Sequence, residues 1–542
     1  MSGSLLLLTA TSVYLLAYFT YGRWIRKRLG VSDSNVTPAH TRCDGVDYVP
    51  ARRSVLLGHH FASIAGVGPI VGPILGATYG WMPAMLWLVF GNVFIGAVHD
   101  FTVLVASIRH DGKSIGSLAE HYLGGSGKRV FLVFAWFALV LVIAVFTIVV
   151  AKTFVAHPEA ATASGLFIVI AIGFGYALHV RRAPFAVSTV VGVLLLFGAV
   201  WAGLRFPLSL PYNAWIVALL GYVFIASVTP VWLLLQPRDY LNSFLLYVIL
   251  LGGFVGLMVY RPSVQMELFA GFTDPKLGTL FPILFVTVAC GAISGFHSLV
   301  ASGTTAKQID REGDAQLIGY GSMLTEGVLA VIALITAIML TRDTYAATLE
   351  GGGPVALFSQ GLGSFTVTLG VPLAVGTSFA ALAISAFALT TLDTSARLGR
   401  YTFEELFENT RFAGVCSRPF VATFVTIGAG AALAFNKGGT MSIWPVFGAA
   451  NQMLAALALL SVSAYLSHRA IGNRFVRIPA VVMFVLTLSA VFWLISDNLK
   501  SHNYPLVAIA LVLAGAASYI AALSFRRPRA AAGAQPSPNA TS

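Results

Sequence analysis

VLLGHHFASIAGVGPIVGPILGATYG, residues 55–80, is the stretch whose reading decides the fold. It is apolar over more than the ~20 residues that cross a bilayer as a helix. Within it stand two adjacent histidines, His59 and His60, and two Gly-Pro steps, Gly68-Pro69 and Gly72-Pro73. Proline removes a backbone donor and disfavours helix in the residue before it, so the spacing predicts a helix that breaks near mid-membrane. Lipid cannot satisfy the freed amides and carbonyls, and a break persists only inside protein or beside a watery cavity. Broken helices at the midplane are how transporters build substrate sites. A kinked helix whose glycines only permit close packing is the competing reading.

Composition agrees with a membrane protein. Of 542 residues 57% are hydrophobic and 10% charged, and mean hydropathy is +0.83, whereas soluble domains carry ~25% charged residues. The net charge of +12 is no sign of nucleic-acid binding, because the Lys and Arg residues sit in short loops. Cys43, Cys290 and Cys416 are scattered, without metal-ligand or disulfide spacing.

Working outward, residues 4–21 form a first apolar span. The basic cluster Arg23, Arg26, Lys27, Arg28 follows it rather than preceding it, so a cleaved signal peptide is not expected and the N-terminus is placed outside. Further apolar stretches fall near 82–108, 130–151, 161–179, 184–204, 214–235, 241–260, 280–303, 315–340, 366–391, 419–436, 440–466, 478–496 and 504–524. The reading is an all-α polytopic membrane protein of about fifteen helices at ~20 residues each. Of 33 Lys and Arg, only Lys152, Arg205, Arg261, Lys276, Arg342, Lys437 and Lys500 then fall on the outer side. That bias predicts the N-terminus out and the C-terminus in. Residues 341–365 read as an irregular outer loop, residues 393–418 as an amphipathic segment along the inner face, and residues 526–542 as a disordered tail.

Several long motifs resemble the carbon starvation protein A family: GHHFASIAGVGPIVGPILGATYGW, GNVFIGAVHDF at 91–101, TPVWLLLQPRDYLNSF at 229–244 and CGAISGFHSLVASGTTAKQI at 290–309. LTTLDTSARLGRY at 389–401 and WPVFGAANQMLAALALL at 444–460 complete the set. The resemblance implies an inner-membrane secondary carrier of peptides or pyruvate, proton-coupled and tied to carbon starvation, rather than an enzyme. It also implies a leucine-transporter-type core of five plus five inverted helices. On that core, residues 1–54 are an N-terminal helix and loop, 55–204 the first repeat and 214–391 the second. Four extra helices occupy 419–525. The sixth core helix is then 214–235, with its own breaker at Ser227-Val228-Thr229-Pro230.

Few polar residues lie inside the spans, and each costs several kcal/mol unless paired or hydrated. His59 and His60 lie roughly 7 Å inside the boundary at helical rise, and His99, Asp100, His297 and Glu326 lie deeper. Histidine changes charge near neutral pH, so these six are the candidates for proton coupling. For Glu326 the alternative is a structural acid paired with Asn92. The expected substrate site is Gly66, Gly68, Pro69 and Gly72 of the first break with Ser227, Thr229 and Trp232 of the sixth helix. No cofactor beyond a coupling proton is expected. Sodium is the alternative, with Ser302 and Thr305 at the positions the resemblance implies. A competing class is an intramembrane metal-binding or redox protein using the His/Asp residues, against which stands the lack of any HExxH-type spacing. Asp393 and Arg397 read as a cytoplasmic gate pair or a surface contact, and Asn451 and Gln452 as packing groups. The expected partners are a small-molecule substrate and membrane lipid.

Overall fold

The computed structural model describes residues 1–45, 48–230, 232–408, 410–435 and 439–525. The main helices, in chain order, are α1 (Gly3–Leu29), α2 (Arg53–Ile64), α3 (Gly68–Gly76), α4 (Trp81–Ile108), α5 (Gly125–Ala156) and α6 (Pro158–His179). There follow α7 (Phe185–Arg205), α8 (Tyr212–Val228), α9 (Leu235–Tyr260), α10 (Leu280–Val288), α11 (residues 295–308) and α12 (Glu312–Ile338). The last six are α13 (Arg342–Val367), α14 (Leu373–Phe407), α15 (Pro419–Ala434), α16 (Gly439–His468), α17 (Arg474–Lys500) and α18 (Tyr504–Phe525). Among the described residues twelve spans are long and apolar enough to cross a membrane, the α10/α11 stretch counting as one, and the bent pair α2/α3 makes up to thirteen. The apolar helices α8 and α15 are shorter, 17 and 16 residues.

The Gly-Pro steps act unequally. After Ile64 the backbone leaves the helix at Ala65 (φ −77°, ψ 68°). Pro69 then sits in the first turn of α3, where its missing N–H costs nothing. The two half-helices meet at 45°. The second step does not break the chain, since Pro73 lies inside α3. Gly72 matters for packing instead, because a Cβ there would stand 2.7 Å from the carbonyl oxygens of both Thr287 and Val288. Glycine lets α3 lie directly against α10.

A second break, which hydropathy concealed, interrupts the 280–303 stretch. Helix α10 stops at Val288, a short tight turn runs over Ala289–Gly291, and Ser294 is extended (φ −139°, ψ 127°) before α11 begins. Here α10 packs on α3 and α11 on α2. The two broken elements therefore run antiparallel, break beside break.

Three expectations are corrected. Residues 341–365 are helical, not an irregular loop: α13 bends at Gly353 (φ 74°), and Tyr345 of this helix donates to the Ile74 carbonyl, 2.8 Å away. Residues 393–407 do not lie along the inner face but continue α14, whose 35 residues reach about 52 Å at helical rise. Asp393 and Arg397 are thereby buried. Helix α8 ends at Val228 rather than continuing through Trp232. The tail at 526–542 lies outside the described residues.

Gly72→Leu is expected to lower the thermal unfolding midpoint of the purified protein by several degrees, since overpacking costs about 1–3 kcal/mol. A midpoint unchanged in differential scanning fluorimetry would show that α3 and α10 part easily.

Candidate functional site

The breaks leave backbone groups without helical partners, and side chains from neighbouring helices take them up. Asn92 of α4 donates to the carbonyls of Gly291 (3.1 Å) and Met323 (2.9 Å). Asn451 of α16 accepts from the Phe296 N–H at 2.9 Å and donates to Ser294 Oγ at 3.1 Å, capping α11. Trp444 Nε1 donates to the Thr287 carbonyl, 3.4 Å, and Gln452 to that of Phe285, 2.8 Å. Asn451 and Gln452 thus serve as backbone ligands of the second broken element, a more specific role than packing. Asn92 is not the partner of Glu326.

Beside these breaks the titratable side chains form a buried chain. Asp100 Oδ1 lies 2.7 Å from His99 Nδ1, and its Oδ2 lies 2.8 Å from His297 Nδ1. The other nitrogen of His297 is 3.4 Å from Glu326 Oε2. Neither Glu326 oxygen has a hydrogen-bond partner among the described residues. His60 Nδ1 meets Thr305 Oγ1 at 2.8 Å. All of these groups are fully buried. Three elements are joined here: α4 carries His99 and Asp100, α11 carries His297 immediately after its break, and α12 carries Glu326. A proton passing between Asp100 and Glu326 would need only rotation or tautomer exchange of His297.

His59 belongs to a second network. Its Nδ1 is 3.7 Å from Asp239 Oδ2, and Asp239 is 3.3 Å from Arg238. Arg238 also pairs with Asp393 and donates to Tyr222 Oη at 2.8 Å, while Tyr222 donates to Asp393 at 2.6 Å. Asp393 and Arg397 are therefore not a gate pair. Arg397 Nη2 instead donates to the carbonyls of Ala226, at 2.7 Å, and Thr229, at the end of α8. The sequence reading missed Arg238, Asp239 and Tyr222. The signal for the first two was present in the quoted QPRDY motif, but hydropathy started the helix at 241, whereas α9 begins at Leu235.

Of the expected substrate residues, Gly66, Gly68, Pro69 and Gly72 are all buried at the first break. A Cβ on Gly66 would lie 2.6 Å from Thr391 Oγ1, and Gly68 faces Cys290 of the second break. Ser227, Thr229 and Trp232 are not brought to them. Ser227 contacts Thr423 of α15 (3.4 Å), Thr229 bonds within α8 and to Arg397, and the Trp232 ring lies 5.2 Å from that of His179 in α6. The partner of the first break is the Ala289–Ser294 segment. The hydroxyls of Ser302 and Thr305 are each engaged, Ser302 accepting from the Ile115 N–H at 3.1 Å and Thr305 meeting His60. Among the described residues no three or more His, Cys, Asp or Glu side chains are grouped to hold a metal ion.

Two cavities approach the break from opposite ends. One, about 340 Å³, is lined by His59 and Ser63 of α2 with Asp239, Ser302 and Arg397. The other, about 830 Å³, is lined by Val71 and Leu75 of α3 with Lys152, Arg342 and Trp444.

The chain is similar to known proteins in sequence and in fold. The family model described as carbon starvation protein CstA matches residues 2–352 and 346–490. The peptide transporter CstA of Campylobacter jejuni is 34% identical over 89% of this chain and 79% of its own length. The pyruvate/proton symporter BtsT of Escherichia coli is 32% identical, covering 84% and 76%. Among solved structures, a manganese transporter of Eremococcus coleocola, in complex with an aromatic bis-isothiourea substituted compound, superposes with a TM-score of 0.52. That match has 14% identity and covers 89% of this chain and 99% of that one, a likeness of fold.

Removing one partner of a buried ion pair typically costs about 3–5 kcal/mol, so Asp393→Asn should lose roughly that much stability in chemical unfolding. Arg238→Met combined with Asp393→Leu and Asp239→Asn, which strands none of the three charges, should recover part of it. A triple variant less stable than Asp393→Asn would show that the three are not a coupled unit.

Proposed function

The chain belongs to the carbon starvation protein CstA family, and we propose that it is a proton-coupled importer of a small carboxylate-bearing nutrient, pyruvate or a short peptide, across the inner membrane. Members of this family are named as transporters rather than enzymes. The observation that carries the reading is the Asp100–His297–Glu326 chain, which ties α4 and α12 to the second of two antiparallel broken helices. A proton held there is felt at the break where a substrate would bind.

The architecture supports an inverted-repeat core whose repeats are headed by α2/α3 and α10/α11, in place of a second repeat headed by α8. The bent pair taken as one crossing and the two shorter apolar helices as two more make about fifteen crossings in all. The N-terminus of α3 favours a carboxylate through its dipole and the Gly68 N–H, since Pro69 has no N–H and that of Ile70 is held by the Val67 carbonyl at 3.1 Å. Pyruvate and peptides have that group in common. Proton coupling is favoured over sodium because the Ser302 and Thr305 hydroxyls already hold other partners.

Asp100→Asn keeps volume and polarity while removing the exchangeable proton. In proteoliposomes it should abolish pyruvate or dialanine accumulation driven by a pH gradient and leave counterflow measurable. Accumulation at the wild-type level would remove Asp100 from the coupling path and make sodium the better candidate.

The charge distribution supports a C-terminus inside and α13 outside. Glu350→Cys, with Cys43 and Cys416 replaced by Ser, should react with a membrane-impermeant maleimide added to intact cells. Labelling only after the membrane is opened would reverse the topology.

A further inference from the structure

We propose that Arg397 is a carboxylate-recognition residue, and that the 340 Å³ cavity beside it is a second substrate site on the side of the membrane where α2 begins. This rests on the transporter reading above.

Arg397 is 6% exposed and has no carboxylate of its own among the described residues. Both nearby acids, Asp239 and Asp393, are ion-paired to Arg238. Arg397 donates to two backbone carbonyls, both through Nη2, and its Nε has no partner. The Tyr401 hydroxyl is a further hydrogen-bonding neighbour. Capping the end of α8 accounts for Nη2 and leaves the guanidinium without an anion. A buried cation without a counter-ion is costly, and a planar guanidinium is the group best shaped to take a carboxylate.

The cavity wall points the same way. Its charged residues are Arg397, Lys307, Asp239 and Glu405, with His59 beside Asp239. Each acid is held by a cation outside the cavity that also holds a second acid: Asp239 by Arg238, which pairs with Asp393 as well, and Glu405 by Lys128, at 3.1 Å, which pairs with Glu120 as well. Lys307 lies over the Tyr48 ring and has no ion pair among the described residues. Arg397 and Lys307 are thus the charged groups on this wall without an ion-pair partner among the described residues. Leu299 and Leu398 give it an apolar side, and the volume admits an oxoacid or a short peptide. His59 and Ser63 of the same wall lead along α2 to the break at Ala65. A carboxylate leaving the break on this side meets Arg397 next.

The test compares the two faces of the membrane. Wild type, Arg397→Gln and Arg397→Lys are reconstituted at full length in vesicles of known orientation, with pyruvate and dialanine as probes. Arg397→Gln should raise KM about tenfold for probe offered from the side where α2 begins and leave KM from the other side nearly unchanged. The wild-type preference for pyruvate over neutral pyruvamide, read by competition from the first side, should vanish. Arg397→Lys should recover part of both effects. It also carries the comparison, with a smaller shift, if the glutamine variant fails to fold. Equal changes on both faces, or none, overturn the site and leave only the capping of α8. If the wild type moves neither probe, the transporter reading fails, and this site falls with it.

Discussion

The backbone groups freed at the two breaks set the terms for everything packed around them. In an apolar interior an unpaired amide or carbonyl costs several kcal/mol, so each break must be met by donors or acceptors held rigidly by other helices. The second break obtains them from Asn92 on α4 and from Asn451, Trp444 and Gln452 on α16. The first obtains closeness instead: α3 lies against α10 so tightly that a Cβ on Gly72 would enter the Thr287 and Val288 carbonyls. These requirements fix α4, α12 and α16 around the broken pair. His99, Asp100 and Glu326 occupy their depth because the helices that carry them are already fixed there.

Charge follows the same logic of local compensation. Arg238 serves two aspartates and Tyr222 in one network, and Asp100 is held between two histidines in the other. The groups left incomplete are informative by contrast. Glu326 has an imidazole nearby but no aligned hydrogen bond, and Arg397 has carbonyls but no anion. Buried ion pairs are poor stabilisers, and incomplete ones poorer still. Their presence in a membrane interior is most simply read as a cost carried for binding and proton movement.

How far the sequence revealed this depended on whether the relevant signal was local. Pro69 announces the first break because proline changes backbone geometry by itself. The second break contains no proline: Gly291-Ala292-Ile293-Ser294-Gly295 is apolar and small, and only Asn92 and Asn451, distant in sequence, make its extended backbone tolerable. Ser227-Val228-Thr229-Pro230 carries a strong local signal, yet it merely ends α8. Gly351-Gly352-Gly353-Pro354 made α13 look irregular, although packing against α14 and α3 keeps it helical. The reading of 393–407 failed for the converse reason. Hydropathy ends where Asp393 and Arg397 appear, but Asp393 pairs with Arg238 of α9 and Arg397 donates to carbonyls at the end of α8, so the helix need not stop. The His/Asp/Glu candidates were legible because ionisable residues inside apolar spans are rare. Their division into two networks was not, since it depends on adjacent histidines projecting about 100° apart around α2.

The same geometry explains how one small movement can govern access. One cavity reaches Ser63 on α2 and the other reaches Val71 on α3, so only the seven intervening residues separate them, about 10 Å at helical rise. That barrier consists of the break itself. Since α2 packs on α11 and α3 on α10, each half of one broken helix is attached to a half of the other. Tilting the α2/α11 pair against the α3/α10 pair bends the chain at Ala65 and at Ala289–Ser294, where the regular helices are interrupted. Asp100 and Glu326 meet α11 through His297. In the proposed coupling, a change in their protonation bears directly on the half of the broken pair that α2 and α11 form.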